Sequence, residues 1–341
     1  MKTIITFLLL TVTQLIFAQT IFTVDNFSNN YYGQVQINDT TEVFSQGWVG
    51  IFDKKTKKQL IKVNSPELTF ELHTGKVLAN IKELPYGEQS QILYEDYNFD
   101  GIKDFAIMDG QNSCYHGPSF QIYLASNSGF KLSPEFTQLA QNYCGMFDID
   151  NETKTIHTMT KSGCCWHEFS EFVVENNKPK VIKIITDEQD LPFITFTEQI
   201  WNGKRMLKKT TKTIDTEQEG IQIILSFIVP ENGKKIILYS INDIVLNYAI
   251  LRKDDTVEFS YPAEIVYKHP DFRLMGSSAN YSVVFVNNNA TYKIYDQPNK
   301  LGVEITIDGK TYNLAGNTKT RKGGLDKLLK LPLDNVVFQE R

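Results

Sequence analysis

Apolar and polar residues alternate along most of the chain after its first twenty positions. In "ELTFELH", Leu68, Phe70 and Leu72 share one face, and charged or hydroxyl side chains share the other. A period of two residues is typical of a strand that is buried on one side. The pattern predicts a strand here and a mainly β fold for the chain.

Polar turn residues separate the alternating stretches and indicate antiparallel hairpins. The predicted turns are Lys54 to Lys58, Asn127-Ser128-Gly129, Asp150-Asn151, Asn202-Gly203, Pro298-Asn299 and Asp308-Gly309. Only "LPYGEQSQ" and the later "GGLDKLLKL" leave room for short helices.

The first residues have the order of a secretory signal peptide. Lys2 gives a positive start, an apolar run extends from Ile4 to Phe17, and Ala18 is a small residue suited to cleavage. We therefore predict a signal peptide over residues 1–18 and an exported protein, in the periplasm or outside the cell. No later stretch is apolar enough to cross a bilayer, so no transmembrane segment is expected in the mature chain.

A polar stretch from Thr213 to Gly220 has no hydrophobic face and is the best candidate for a domain boundary. It predicts one β domain over residues 19–212 and a smaller β-rich domain of unknown role over residues 221–341. Removal of residues 1–18, whose one charged side chain is Lys2, changes the formal net charge from -5 to -6. This acidic balance disfavours a nucleic-acid partner, which requires a basic face. We expect a monomer.

The sequence "YEDYNFDGIKDFAI" spaces its oxygen-bearing side chains as a calcium loop does. Counted from Asp96, the ligand positions one, three, five and nine of an EF-hand loop fall on Asp96, Asn98, Asp100 and Asp104. A glycine stands at position six, and the carbonyl oxygen of Ile102 is available at position seven. The spacing predicts a Ca²⁺ site that stabilises the fold.

The loop departs from an EF-hand at position twelve, where Ile107 replaces the bidentate glutamate. The flanking residues also resemble strands rather than helices. We therefore expect a calcium loop between two strands, closed by Asp104, with Tyr97 and Phe99 packed beneath it. The alternative is an acidic turn in solvent without a metal.

The four cysteines of the chain lie within about fifty residues, and an even number in an exported protein favours disulfide bonds. One of the three possible pairings joins the neighbours Cys164 and Cys165 in a strained ring. We therefore expect Cys114 and Cys144 to bond one each to Cys164 and Cys165.

A zinc site is the alternative, because "CYHG" and "CCWH" place thiols beside imidazoles. Its ligands would be Cys114, His116, Cys164 or Cys165, and His167. The remaining histidines, His73, His157 and His269, stand alone in the sequence and are interpreted as ordinary strand or loop residues.

Motifs of known catalytic chemistry are missing from the sequence. There is no Gly-x-Ser-x-Gly elbow, no His-Glu-x-x-His and no phosphate-binding glycine loop. Acid pairs such as Asp148 and Asp150 are too common to define a glycosidase. We do not expect an enzyme.

Three segments together resemble a known family of exported bacterial calcium-binding β proteins. They are "LYEDYNFDGIKDFAI", "GPSFQIYLASNSGFKLSPEFTQLA" and "MFDIDNETKTIHTMTKSGCCWHEFSEFVVENNKPKVIK". The family includes periplasmic immunity proteins that inhibit lysozyme-like toxins of a type IV secretion system. The resemblance covers roughly residues 85–190 and implies a propeller-like β fold with one calcium, held by Asp96, Asn98, Asp100, Ile102 and Asp104.

The resemblance implies an exported, calcium-stabilised binding protein that inhibits a lysozyme-like cell-wall hydrolase. In that case "DGQNSCYHGPS" is the best candidate for the inhibitory loop, with Tyr115 and His116 contacting the target. A packed hairpin corner is the alternative for these two residues. The alternative function is an envelope module that binds glycan or a surface protein without inhibiting it.

Overall fold

The computed structural model describes residues 19–263, 269–277 and 279–339. The predicted signal peptide lies outside the described residues and stays a prediction. Strands dominate the described part of the chain, and adjacent strands pair antiparallel in almost every case. The predicted mainly β fold class is confirmed. No described helix is long and apolar enough to cross a membrane.

Two four-stranded sheets come first. The sheet β1-β2-β3-β4 comprises Thr20–Val24, Tyr31–Ile37, Ser45–Asp53 and Gln59–Leu68. The sheet β5-β6-β7-β8 comprises Ile92–Glu95, Asp104–Ser113, Gly117–Ser126 and Gly129–Leu132. Residues 96–103, which hold four of the five predicted calcium ligands, connect β5 to β6, and the fifth, Asp104, begins β6. The expected strand–loop–strand arrangement is confirmed.

The third sheet has six strands in the order β14-β13-β12-β11-β10-β9. In chain order from β9 to β14 they are Asp148–Asp150, Thr155–Ser162, Trp166–Glu175, Lys178–Asp190, Phe193–Trp201 and Met206–Ile214. Each strand therefore lies beside its sequence neighbours, as short polar turns require.

Two further sheets follow. Strands β15 to β18 are Ile221–Ile228, Lys235–Ile241, Val245–Leu251 and Val257–Tyr261. Strands β19 to β23 are Phe272–Ser277, Asn280–Asn287, Ala290–Gln297, Lys300–Ile307 and Lys310–Ala315. The short β24, Lys322–Gly323, pairs with β15, whereas β25, Val336–Gln339, pairs in parallel with β19.

The described residues divide into two compact units. The first contains residues 19–184 and 200–207, and the second contains residues 185–199 together with the described residues from 208 onward. Strands β12 to β14 are thus each divided between the units. The predicted domain limits, 19–212 and 221–341, stay predictions.

Each unit has its own apolar core. The first is centred on the buried aromatic residues Tyr97, Phe105, Phe120, Phe136 and Phe147. The main core of the second unit includes Phe227, Tyr248, Phe272 and Phe285. Strands supply all four residues of the second set, where every second side chain points to the same face, but only Phe105 and Phe120 of the first.

All six predicted turns lie between paired strands and are confirmed. The predicted strand "ELTFELH" is confirmed only for Glu67 and Leu68, and the remaining five residues lie outside it. Strand β4 stops at Leu68, and Leu72 is half exposed in the connection that follows.

The predicted helices need a larger correction. Residues 84–91 form a turn rather than a helix, and the later segment forms only a 3-10 helix, Leu325–Lys330. The one α-helix of the described residues, α1, is Pro134–Asn142, which the pattern did not predict. It begins with a proline at its first position and buries Phe136, Leu139 and Ala140 on one face. With nine residues it is too short for a clear periodic signal.

Tyr248 in the second core offers a stability test, because its buried hydroxyl has no hydrogen-bond partner in the described structure. Burial also raises the pKa of Tyr248. We expect Tyr248→Phe to stabilise the protein by about 1 kcal/mol, since it removes an unpaired buried polar group and keeps the ring. Urea unfolding measures the change. Tyr295→Phe is the matched control and should destabilise the protein by about 1 kcal/mol, because its hydroxyl donates to Asn313 Oδ1 at 3.0 Å. A loss of stability in Tyr248→Phe would contradict the prediction.

Candidate functional site: an acidic loop and an aromatic cleft

The acidic loop folds around its own carboxylates. Asp96 accepts hydrogen bonds from the N–H groups of Asp100 and Gly101, at 3.1 and 2.8 Å. Asp100 Oδ1 accepts from the N–H of Ile102 at 2.8 Å. Gly101 has φ +89°, a left-handed conformation that favours glycine. The sharp turn predicted at position six is therefore present.

Asp104 lies at the buried end of the loop. Its two carboxylate oxygens accept hydrogen bonds from the N–H groups of Tyr97, at 2.9 Å, and Ala125, at 2.7 Å. Burial raises the pKa of Asp104 to about 7, and the nearby charges of Asp100 and Asp96 act in the same direction. A cation beside this group would favour its charged form.

Tyr97 and Phe99 pack beneath the loop, as predicted. Tyr97 is fully buried, and its ring meets that of Phe147 at a centroid distance of 5.4 Å. Phe99 is partly buried against the same core. The alternation of apolar and oxygen-bearing side chains thus separates a packed side of the loop from a polar side.

The polar side suits Ca²⁺, because all of the atoms that could bind the ion are oxygens. Its three carboxylates do not form a tight cluster, however. Among the described residues, the one set of three His, Cys, Asp or Glu ligand atoms within 4.8 Å of one another is Glu71, His73 and Glu88. Asp96, Asn98, Asp100, Ile102 and Asp104 therefore remain the predicted calcium ligands.

A cleft of about 770 Å³ lies elsewhere in the first unit. We call it the aromatic cleft; it is lined by residues from the segments 40–44, 69–71, 85–91, 111–118 and 144–145. Four aromatic side chains line it: Phe44, Phe70, Tyr86 and Tyr115. The predicted contact residues Tyr115 and His116 thus belong to a concave surface formed by distant parts of the chain.

Tyr115 and His116 lie at the sharp corner between β6 and β7, both with positive φ. Tyr115 is 61 % exposed, yet its hydroxyl oxygen accepts a hydrogen bond from the N–H of Gly163. His116 Nε2 is 3.2 Å from a carboxylate oxygen of Glu67, and its ring meets that of Phe44 at 5.0 Å. Both side chains are accessible and held in place, so the packed-corner alternative fits them poorly.

Lys161 links two of the exposed rings. Its Nζ lies 4.6 Å from the ring centroid of Tyr86 and 5.0 Å from that of Tyr115. A cation over an aromatic face is attracted by the ring quadrupole. Lys161 therefore contacts both rings, which line the cleft.

Gln89 is a buried polar group in the cleft wall. Its Oε1 accepts a hydrogen bond from the N–H of Met146 at 2.9 Å, whereas its Nε2 has no partner in the described structure. Gly145 makes this contact possible, because a Cβ at that position would lie 2.6 Å from Gln89 Nε2. An unpaired buried donor is uncommon and calls for an explanation.

His73, isolated in the sequence, has a carboxylate partner in the structure. Its Nε2 is 2.9 Å from both carboxylate oxygens of Glu88, and the hydrogen bond to Glu88 raises the pKa of His73. Glu71 and Glu88 also line the aromatic cleft. His157 contacts Thr155 Oγ1 at 2.9 Å within one strand, and His269 pairs with Asp271 at 2.7 Å, consistent with ordinary strand and loop residues.

The expected cysteine pairing is wrong. The structure joins Cys114 to Cys144, with Cα atoms 4.8 Å apart, and Cys164 to its neighbour Cys165. The helix α1 explains the first pair, because it returns the chain to the β6–β7 corner, where the N–H of Cys114 donates to Tyr143 O. The second pair occupies the tip of the β10–β11 hairpin.

No cysteine is free, so the alternative zinc site, with His116 and His167, lacks its thiolate ligands.

Tyr115 and His116 are candidate contact residues from the sequence alone, whereas Tyr86, Gln89 and Lys161 are not. The segment "LPYGEQSQ" contained a signal, since a Pro-Tyr-Gly sequence favours a turn that displays its aromatic residue. Nothing in the sequence indicates that this turn faces the β6–β7 corner.

No family model matches the chain, and no curated protein matches it. A solved Xanthomonas type IV secretion system related protein is 17 % identical, with a TM-score of 0.42, over 53 % of this chain and 90 % of that chain. A putative 6-phosphogluconolactonase from Bacteroides uniformis is 11 % identical, with a TM-score of 0.22, over 86 % and 83 % of the respective chains.

The propeller of Dos1 is 9 % identical, with a TM-score of 0.21, over 87 % of this chain and 78 % of that chain. All three TM-scores are low. The fold class stated above therefore rests on the strands and sheets of this chain itself.

Proposed function

We propose that this chain is an exported, calcium-stabilised binding protein that acts by contact rather than by catalysis. The observation that carries the proposal is the aromatic cleft, which is lined by the exposed rings of Tyr86 and Tyr115. Two disulfide bonds fit an oxidising compartment outside the cytoplasm. The aromatic cleft is the proposed contact surface.

Preorganisation supports a binding role for the corner that carries Tyr115 and His116. The disulfide to Cys144 fixes the residue before Tyr115, and the hydrogen bond from Gly163 fixes its hydroxyl. A side chain that is already ordered loses less conformational entropy when a partner binds. Exposed, well-held tyrosines are also frequent among the residues that dominate binding energy.

Calcium is proposed as a structural ion, held by Asp96, Asn98, Asp100, the carbonyl oxygen of Ile102 and Asp104. Its support is the all-oxygen donor set, the left-handed Gly101 and the buried Asp104 beside two like charges. When bound, the ion would supply the positive charge that these acids lack. It would also tie the β5–β6 connection to β7, since Asp104 already contacts the N–H of Ala125.

The proposed partner is a lysozyme-like cell-wall hydrolase, which the protein would inhibit. This part rests on the resemblance of the acidic loop and the two segments that follow it. No catalytic residue is proposed.

The test replaces Tyr115 and His116 by alanine together. We expect inhibition of a purified lysozyme-type muramidase to weaken by at least about tenfold, because the anchoring ring and its neighbour are removed. The inhibition constant measures the effect, and calcium binding should not change. Tyr312→Ala is the matched control, as it removes a tyrosine of similar exposure, 57 %, from the second unit. Full inhibition by the double variant would remove this corner from the proposed interface.

A second candidate function is a module that binds glycan without inhibiting an enzyme. The unpaired Gln89 Nε2 in the wall of a concave, aromatic-edged cleft favours it, since such a surface receives a ligand rather than inserting into one. Binding of glycan with no effect on any muramidase would distinguish it from the first candidate.

A further inference from the structure

We propose that the aromatic cleft binds a chain of N-acetylated sugars and that Gln89 recognises an acetamido carbonyl. The inference rests on the proposed function, because it takes the aromatic cleft as the binding surface. It adds the class of ligand and the side chain that selects it.

The orientation of the Gln89 amide is fixed by its surroundings. Because the N–H of Met146 requires an acceptor, the atom 2.9 Å away must be Oε1 and the other must be Nε2. Gln89 is 5 % exposed, and its Nε2 has no partner among the described residues. A donor kept unpaired in the wall of a cleft is explained if a ligand supplies the acceptor.

The charges of the aromatic cleft indicate that this acceptor is neutral. Glu42, Glu71 and Glu88 all line it, and they would repel a carboxylate or phosphate ligand. An amide carbonyl is a strong acceptor without net charge. The same carboxylates can accept hydrogen bonds from hydroxyl groups, which a sugar offers at several carbons.

The exposed rings favour a sugar over a peptide. Tyr86 is 56 % exposed and Tyr115 is 61 % exposed, and both line the aromatic cleft. A pyranose ring has a flat C–H face that covers a tyrosine ring while its hydroxyl groups point sideways to polar partners. A cleft of about 770 Å³ is large enough for a ligand of several rings.

Isothermal titration calorimetry of the full chain with three neutral probes tests the proposal. Triacetylchitotriose and cellotriose are β-1,4 trisaccharides that differ at carbon 2, where the first carries an acetamido group and the second a hydroxyl. We expect triacetylchitotriose to bind at least about tenfold more tightly than cellotriose, because only the acetamido carbonyl pairs with Gln89. Acetyl-trialanine amide, which offers amide carbonyls on a peptide, should not bind measurably.

Two variants assign the effect to the aromatic cleft. Gln89→Glu keeps an acceptor for the N–H of Met146 but removes the free donor, and should abolish the preference for triacetylchitotriose. Tyr86→Ala changes an exposed side chain, so it should fold normally, and it should weaken both trisaccharides. Gln46→Glu is the control, because it makes the same substitution at an exposed glutamine outside the cleft lining.

The outcomes separate this inference from the proposed function. Equal binding of the two trisaccharides, no binding of either, or equally tight binding of the peptide would overturn the acetamido assignment. Unchanged binding by Tyr86→Ala would overturn the location. If no sugar binds but muramidase inhibition is lost in the Tyr115 and His116 double variant, the proposed function stands and this inference fails.

Discussion

Removal of calcium with EGTA is expected to lower the melting temperature of the first unit by roughly 5–10 °C. A ligand at a hundredfold excess over its dissociation constant stabilises the folded state by about 2.7 kcal/mol. For a unit of this size, each kcal/mol changes the melting temperature by about 2–4 °C. Without the ion, Asp96, Asp100 and Asp104 repel one another around the buried end of the loop. Circular dichroism with and without added calcium measures the change.

The controls for this prediction use two Asp-Gly turns in the same chain. Asp100→Asn keeps an oxygen acceptor for the N–H of Ile102 but removes a charged calcium ligand, so the calcium-dependent gain should shrink. Asp308→Asn makes the same change in the hairpin turn before Gly309, outside the loop, and should keep the full gain. An equal calcium response in both variants, or a wild-type protein indifferent to EGTA, would show that the loop holds no structural calcium.

Loss of the Cys114–Cys144 bond is expected to destabilise the protein by about 3–4 kcal/mol. The bond joins residues 30 positions apart, and closing a loop of that length restricts the unfolded chain by about this free energy. Replacement of both cysteines by alanine should therefore lower the urea midpoint substantially. Binding should weaken as well, because the bond fixes the corner that carries Tyr115.

The other disulfide supplies the matched comparison. Cys164 and Cys165 are adjacent, so their bond encloses no intervening residue and hardly restricts the unfolded chain. Replacement of both by alanine should change the urea midpoint far less than loss of the first bond. If the two double variants were equally unstable, either the pairing or the role assigned to the Cys114–Cys144 bond would be wrong.

The two effects concern different parts of the first unit and should be separable. Calcium acts at the β5–β6 connection, whereas the disulfide acts at the β6–β7 corner, at the opposite end of β6. A variant that loses calcium but keeps its disulfide is therefore expected to retain sugar or partner binding at temperatures where it remains folded. This separation distinguishes a structural ion from one that contacts the ligand.

The unpredicted helix α1 shows where local pattern is insufficient. Ser133, Pro134 and Glu135 form a reasonable helix start, but the following apolar residues cover little more than two turns. Such a short helix is stabilised mainly by the burial of Phe136, Leu139 and Ala140 rather than by its own propensity. Its existence depends on the strands that receive it, which the local sequence does not specify.

The strands, their turns and the composition of the acidic loop were determined by the sequence itself. Alternation with a period of two and turn residues such as Asn202-Gly203 are local properties, so they could be read from neighbouring positions. The cysteine pairing, the contact of His73 with Glu88 and the aromatic cleft were decided only by the tertiary structure. Each of these joins residues that approach one another because sheets and connections pack together. Gln89 and Met146, 57 positions apart, are the clearest case, since their hydrogen bond exists only where two distant connections meet.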